Sequence, residues 1–154
     1  MRLEPITPQL AARIIARDEQ PGDRWHAEYP FADELVPLRM LAAATDPHPV
    51  FTLYAIRDED GVAVGGLGFF GPPEDGTVEI GYGLVPSARG RGLASDAVTH
   101  AVRIAAAHGA DRVIADTDLA NLPSQRVLLR AGFTESRRNG EKAFFERTLP
   151  HPSA

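Results

Sequence analysis

The stretch from Thr77 to Thr117 constrains this chain more than any other. TVEIGYGLV, Thr77 to Val85, is rich in β-branched and aromatic residues and stops at Pro86, so it reads as a strand. A turn of glycine and arginine follows, Arg89-Gly90-Arg91-Gly92-Leu93-Ala94. From about Gly92 to His108 the apolar residues Leu93, Ala97, Val98, Ala101, Val102, Ile104 and Ala105 recur with a helical period. Gly109 is placed to end that helix. RVIADT, Arg112 to Thr117, reads as the next strand. A strand, helix and strand in this order form a right-handed crossover between parallel neighbours. The fold must therefore contain a sheet with a helix packed on one face.

The flanking segments supply antiparallel strands. Residues 1–6 read as a short strand, and Pro8 to Asp18 as a helix with Thr7 as N-cap and Pro8 at its first position. From Arg24 to Ala44 the pattern is helical but interrupted by Pro30 and Pro37, which predicts two short helices. Val50 to Arg57 and Val62 to Phe70 flank the turn Asp58-Glu59-Asp60-Gly61 and read as a hairpin. Asn121 to Ala131 reads as a helix ended by Gly132. Phe133 to Arg138 and Lys142 to Leu149 form a closing hairpin around Asn139-Gly140. The class is α/β (α+β): one domain over 1–149, a mixed, mostly antiparallel sheet flanked by helices, then a tail over 150–154.

The Gly/Arg turn has a chemical use. Glycine lets backbone approach a ligand closely, and the first turn of a helix presents unpaired N–H groups at a positive dipole end. Arg89 and Arg91 add charge, so the turn suits a phosphate or pyrophosphate. It is not a P-loop, which needs a Lys-Ser/Thr pair, and it lies too far along the chain for a dinucleotide-binding first turn.

Composition removes other classes. With no cysteine, thiolate nucleophiles and cysteine-ligated metal sites are excluded, and the five scattered histidines suggest no metal constellation. No apolar run is long enough for a membrane helix, and no signal-peptide core opens the chain, so a cytoplasmic location is expected. The net charge of −5 argues against a nucleic-acid partner. Residues 1–76 hold 13 Asp/Glu and 6 Lys/Arg, a net −7, whereas residues 77–154 hold 8 and 10, a net +2. An acidic N-terminal half is expected to draw a cationic ligand, and a basic C-terminal half an anionic one.

Arg89, Gly92 and Ala94, within EIGYGLVPSARGRGLASDA, resemble the pyrophosphate-binding R-x-x-G-x-A motif of the GNAT family of N-acetyltransferases. Downstream, Asn121-Leu122-Pro123-Ser124, Val127 and Gly132-Phe133 are similar to the N-x-x-S-x-x-V…G-F signature of its RimJ/RimL-like members. The resemblance implies a single GNAT-like domain whose two central strands splay to admit coenzyme A. It implies that Arg89, Gly90, Arg91, Gly92, Leu93 and Ala94 hold the pyrophosphate. Leu84, Val85 and Asn121 would bind the pantetheine arm, and Ser124 would lie near the sulfur. Acetyl-CoA is then the co-substrate, with no metal. The partner is an amine acceptor, a protein N-terminus or a small molecule, and a homodimer is compatible with the family.

An amine attacks a thioester only as the free base, so a proton acceptor is needed. Glu79, in the central strand just before the turn, matches the family's glutamate. Its ordinary alternative is a strand glutamate facing water. The family's usual acidic tyrosine falls at Leu128, which cannot donate a proton. Ser124 takes its place in the sequence, though a helix-start serine often serves only as a cap. The family places its acceptor-binding elements in the N-terminal part, which implies Trp25, Glu28 and Tyr29 as acceptor-binding residues. The competing function is a non-catalytic acyl-CoA-binding module of the same fold.

Overall fold

A computed structural model describes residues 1–150; residues 151–154, most of the expected tail, lie outside the described residues. The chain opens with β1 (Arg2–Pro5) and α1 (Pro8–Ile15), where Thr7 Oγ1 accepts the Leu10 N–H at 3.1 Å and Pro8 starts the helix. A 3-10 turn (Ala32–Glu34) runs directly into α2 (Leu35–Ala42). The antiparallel run β2 (Leu53–Arg57), β3 (Ala63–Phe69) and β4 (Thr77–Leu84) follows. Then come α3 (Leu93–Ala107), β5 (Arg112–Asp118), α4 (Leu122–Arg130), β6 (Thr134–Arg138) and β7 (Lys142–Thr148).

One seven-stranded sheet results, in the order β1-β2-β3-β4-β5-β7-β6. Every pairing among the described strands is antiparallel except β4 with β5, which the α3 crossover makes parallel. Leu93, Ala94, Ala97, Val98, Ala101, Val102 and Ala105 are the buried residues of α3, close to the set its periodicity predicts. Four of the seven are alanines, which bring the helix axis close to the sheet. Each larger aliphatic side chain buried there contributes about 1.5–3 kcal/mol. At the closing hairpin Asn139 Oδ1 accepts the N–H groups of Glu141 and Lys142, at 2.8 and 2.7 Å. The asparagine side chain thus holds the turn.

The expectation of two helices between Arg24 and Ala44 needs correction. Helix begins only at Ala32, and residues 24–31 run irregularly beside the start of β3. Trp25 bridges Ala63, and the Ala63 N–H donates to the Arg24 carbonyl at 2.9 Å while the His26 N–H donates to the Ala63 carbonyl at 3.0 Å. Those backbone partners replace the helical ones. Pro37 falls in the first turn of α2, where its missing N–H costs nothing.

The feature that matters most for function is where β4 and β5 separate. Their ladder runs Thr77↔Arg112, Val78↔Val113, Glu79↔Ile114 and ends there, although both strands continue, to Leu84 and Asp118. A wedge opens beyond Glu79. On the β3 side, the Phe70 N–H donates to the Glu79 carbonyl and the Val85 N–H to the Val64 carbonyl, at 2.9 and 2.8 Å. Strand alternation therefore turns the backbone groups of Tyr82 and Leu84 toward the wedge.

Candidate functional site

The wedge leads into a cavity of about 490 Å³ between β4, the turn after it, and α4. Its floor is the Arg89–Ala94 turn. Gly90 and Gly92 have φ +81° and +79°, and a Cβ at either would meet nothing within 4 Å. Glycine is there for backbone conformation and leaves open space in front of the amides. Gly92 is the N-cap of α3 and brings no capping side chain, so the first-turn N–H groups remain available. Arg89, Gly90, Gly92, Leu93 and Ala94 all line this cavity. The Arg89 Nε donates to the Leu84 carbonyl at 3.2 Å, and its guanidinium lies 5.2 Å from the Phe31 ring centre, which fixes the side chain along the wall.

Two expected members of this site are used otherwise. Arg91 turns away: its guanidinium bonds Glu59 at 3.1 Å, with Asp58 at 4.0 Å, in the β2–β3 turn. The backbone of Val85 is engaged on both sides, its N–H by Val64 and its carbonyl by the Ala88 N–H. Leu84 faces the wedge instead, together with Tyr82. Asn121 caps α4, its Oδ1 accepting the Ser124 N–H at 3.2 Å, and both residues line the cavity.

Glu79 projects to the opposite face from Tyr82, because the two are an odd number of residues apart on one strand. It is half-buried at the apex of the wedge and lines a second cavity, of about 410 Å³, with Arg112, Asp116, Arg137, Phe144 and Glu146. Partial burial pushes its carboxyl above the ordinary range; Asp116 adds to the rise and Lys142 opposes it. Lys142 Nζ bonds Asp116 at 2.9 Å and Arg112 bonds Glu146 at 3.2 Å. The sheet is thus approached from both faces, with Glu79 in one cavity and Tyr82 in the other. The exposed ring of Phe70 lies over Gly81, two residues from Glu79 and on its face.

A protein-family model, "Acetyltransferase (GNAT) domain", matches residues 1–134. The chain belongs to the GNAT acetyltransferase family. Solved structures repeat the fold. The GNAT domain of S. lividans PAT is 22% identical, covering 96% of this chain and 90% of that one, with a TM-score of 0.67. The ribosomal-protein-S5-alanine acetyltransferase of Vibrio fischeri is 16% identical, covering 95% and 91%, with a TM-score of 0.65. The yncA protein of Salmonella typhimurium with its cofactor acetyl-CoA is 22% identical, covering 63% and 64%, with a TM-score of 0.54. These likenesses are of fold. No curated protein matches the sequence significantly.

In this GNAT chain the N-terminal acceptor candidates do not assemble around Glu79. Tyr29 is only 3% exposed and belongs to the core. Glu28 is spent on the loop after β4, accepting the Ser87 N–H at 3.0 Å and its hydroxyl at 2.9 Å, which holds its carboxyl below the usual range. Trp25 is half-buried beside Ala63, with the Arg13 guanidinium 5.9 Å from its ring centre. Glu34 is buried, accepts the Phe31 N–H at 3.0 Å, and is pushed up to about 7 by burial. Asp33 lines the larger cavity.

Sequence reasoning passed over three residues of the GNAT wedge. Arg126 and Arg130, four apart on α4, both line the larger cavity and add positive charge to it. Their spacing after the Asn121 cap was the available signal. Tyr82 is the third. Its hydroxyl lies 2.8 Å from Ser124 Oγ and donates to the Ser124 carbonyl at 3.1 Å, joining β4 to α4 across the gap. Burial pushes this phenol up to about 12, so it stays a proton donor at any working pH. Leu128, at the position of the family's usual tyrosine, is fully buried.

Proposed function

We propose that the chain is an acetyl-CoA-dependent N-acetyltransferase of the RimJ/RimL-like type, transferring an acetyl group to a primary amine. The observation that carries this reading is the wedge itself. Backbone groups of Tyr82 and Leu84 face it, an anion-binding turn lies at one end, and Glu79 stands at the apex. The residues fit the cofactor: open space at Gly90 and Gly92, free amides at Leu93 and Ala94, and the cations Arg89, Arg126 and Arg130. Bound there, acetyl-CoA supplies an activated acyl group whose thiol is the leaving group.

The chain's own residues then do four things. The 89–94 amides and nearby arginines neutralise the pyrophosphate. The Leu84 N–H faces the wedge as an oxyanion donor, and Asn121 orients the arm. Glu79 takes the proton of the incoming amine, directly or through water. The paired Tyr82 and Ser124 hydroxyls line the same cavity and would solvate the departing sulfur, β4 supplying a phenol where α4 has Leu128. A thiol with a pKa near the cysteine value of about 8.5 can leave as thiolate, so this help is modest. Ser124→Ala and Tyr82→Phe are each expected to lower kcat by less than about tenfold, the worth of one hydrogen bond. Because they share that bond, the double variant should lose less than the product of the two. A single loss as large as that at Glu79 would make one of them an obligatory acid.

The reading is tested by incubating the protein with acetyl-CoA and a panel of primary amines and following thiol release and the acetylated amine. Amine-dependent release is expected. Tight CoA binding without release on any amine would leave an acyl-CoA-binding module.

A further inference from the structure

The cavity around Glu79 holds an arrangement of charge that bears on the acceptor. Three carboxylates line it, Glu79, Asp116 and Glu146, with the guanidinium groups of Arg112 and Arg137. Two of the carboxylates are already matched within the protein, Glu146 by Arg112 at 3.2 Å and Asp116 by Lys142 at 2.9 Å. Two groups remain, the carboxylate of Glu79 and the guanidinium of Arg137. Among the described residues Arg137 has neither an ion-pair nor a hydrogen-bond partner. Its guanidinium carbon lies over the Phe144 ring, 3.8 Å from the centre. Its neighbour Arg138 is, by contrast, clamped to Glu135 at 2.8 and 2.6 Å.

Stacking spends the face of a guanidinium and leaves its N–H donors free in the plane. That fork matches a carboxylate or a similar oxyanion bidentately. Arg137 pairs in register with Phe144, and Phe144 with Asp116, so the cation sits on the Glu79 side of the sheet. The cavity thus offers one proton-accepting carboxylate and one free cation. We propose that the acceptor is an amine that also carries an anionic group, as an amino acid does, and that Arg137 receives that anion while Glu79 faces the amine. This rests on the acetyltransferase reading and narrows its substrate class.

This acceptor differs from the cationic one that the acidic N-terminal half suggests. Three carboxylates of that half are engaged within the protein: Asp23 with Arg13 at 2.6 Å, Glu28 with Ser87, and Glu34 with the Phe31 N–H. With Lys142 included, the charges at the Glu79 cavity balance, so a second ammonium on the acceptor gains nothing there.

The test compares glutamate, its neutral diamide and 1,4-diaminobutane as acceptors, in the parent and in Arg137→Gln and Arg137→Lys. Glutamate should exceed the diamide in kcat/KM by about tenfold, an exposed charge-assisted contact being worth little more. Arg137→Gln should erase that advantage through KM, leave kcat and the diamide unchanged, and be partly rescued by Arg137→Lys. Calorimetry on the CoA-saturated protein gives a second readout: glutamate binding that weakens about tenfold in Arg137→Gln. A diamide or diamine as good as glutamate overturns the proposal, and so does an equal effect of Arg137→Gln on all three. If nothing is acetylated, the acetyltransferase reading fails while Arg137-dependent binding still supports the anion site. Absence of that binding overturns it.

Discussion

Replacing Glu79 by glutamine is expected to lower turnover by roughly 10²–10⁴-fold at neutral pH with CoA affinity unchanged, the range for removing a positioned general base. Glu79 ends the β4–β5 ladder, and the cavity it lines shares no lining residue with the larger one, so shape and CoA binding should survive. The pH dependence separates a base from a bystander. Burial raises the Glu79 pKa, so the carboxylate forms, and activity rises, somewhat above the ordinary glutamate range. The glutamine variant should lack that acid limb and follow the amine alone. Its deficit should narrow above the amine's own pKa, about 7.7–8 for the α-amino group of a peptide and higher for a free amino acid, where free base is already abundant. Stability should move the other way. A carboxyl whose folded pKa is raised binds protons more readily folded than unfolded, so its contribution is present at low pH and is lost as pH rises through the folded pKa. At neutral pH the variant should therefore melt no lower than the parent. Parental turnover in Glu79→Gln, by thiol release at pH 7, would end the assignment.

The fold was legible because its strongest signals are local. The 3.6-residue run in α3, the Pro86 stop and the Gly132 end are written in neighbouring residues, and each lies where it was expected. The region before β2 was not. Its residues Arg24 and His26 take backbone partners from Ala63, a contact across more than thirty residues that periodicity cannot report. The site divides the same way. Arg89, Gly92 and Asn121 act through the local chain: a turn, a helix start and a cap. Arg91 sits in the same motif, but its direction depends on Glu59 in a distant hairpin. Tyr82 and Ser124 meet only because the crossover brings α4 against β4. Arg137 stands out because Arg112 and Lys142 are paired with Glu146 and Asp116. Charge totals by sequence half do not report pairing, because an ion pair is a statement about neighbours in space.

Gly92→Glu is expected to abolish CoA binding, with affinity falling by at least about 100-fold. Gly92 has φ +79°, and a Cβ there would meet nothing within 4 Å, so the new side chain can fit and must extend into the cavity the amides face. Its carboxylate would stand where a pyrophosphate belongs. At an effective dielectric of about 20, two like charges 4 Å apart repel by about 4 kcal/mol, enough for several hundredfold. The same carboxylate would also satisfy the first-turn N–H groups of α3 that the phosphate is to use. A second effect must be separated from this one, since any L-residue in the left-handed region costs about 1–2 kcal/mol. Gly92→Asn makes the separation, because asparagine tolerates that conformation and brings no charge. The asparagine variant should keep most of its CoA affinity, measured by calorimetry, and the glutamate variant almost none, while both melt only slightly below the parent. If both lose affinity equally, the geometry of the turn carries the binding and the charge argument is wrong. If neither loses it, the 89–94 turn is not the cofactor's anion site.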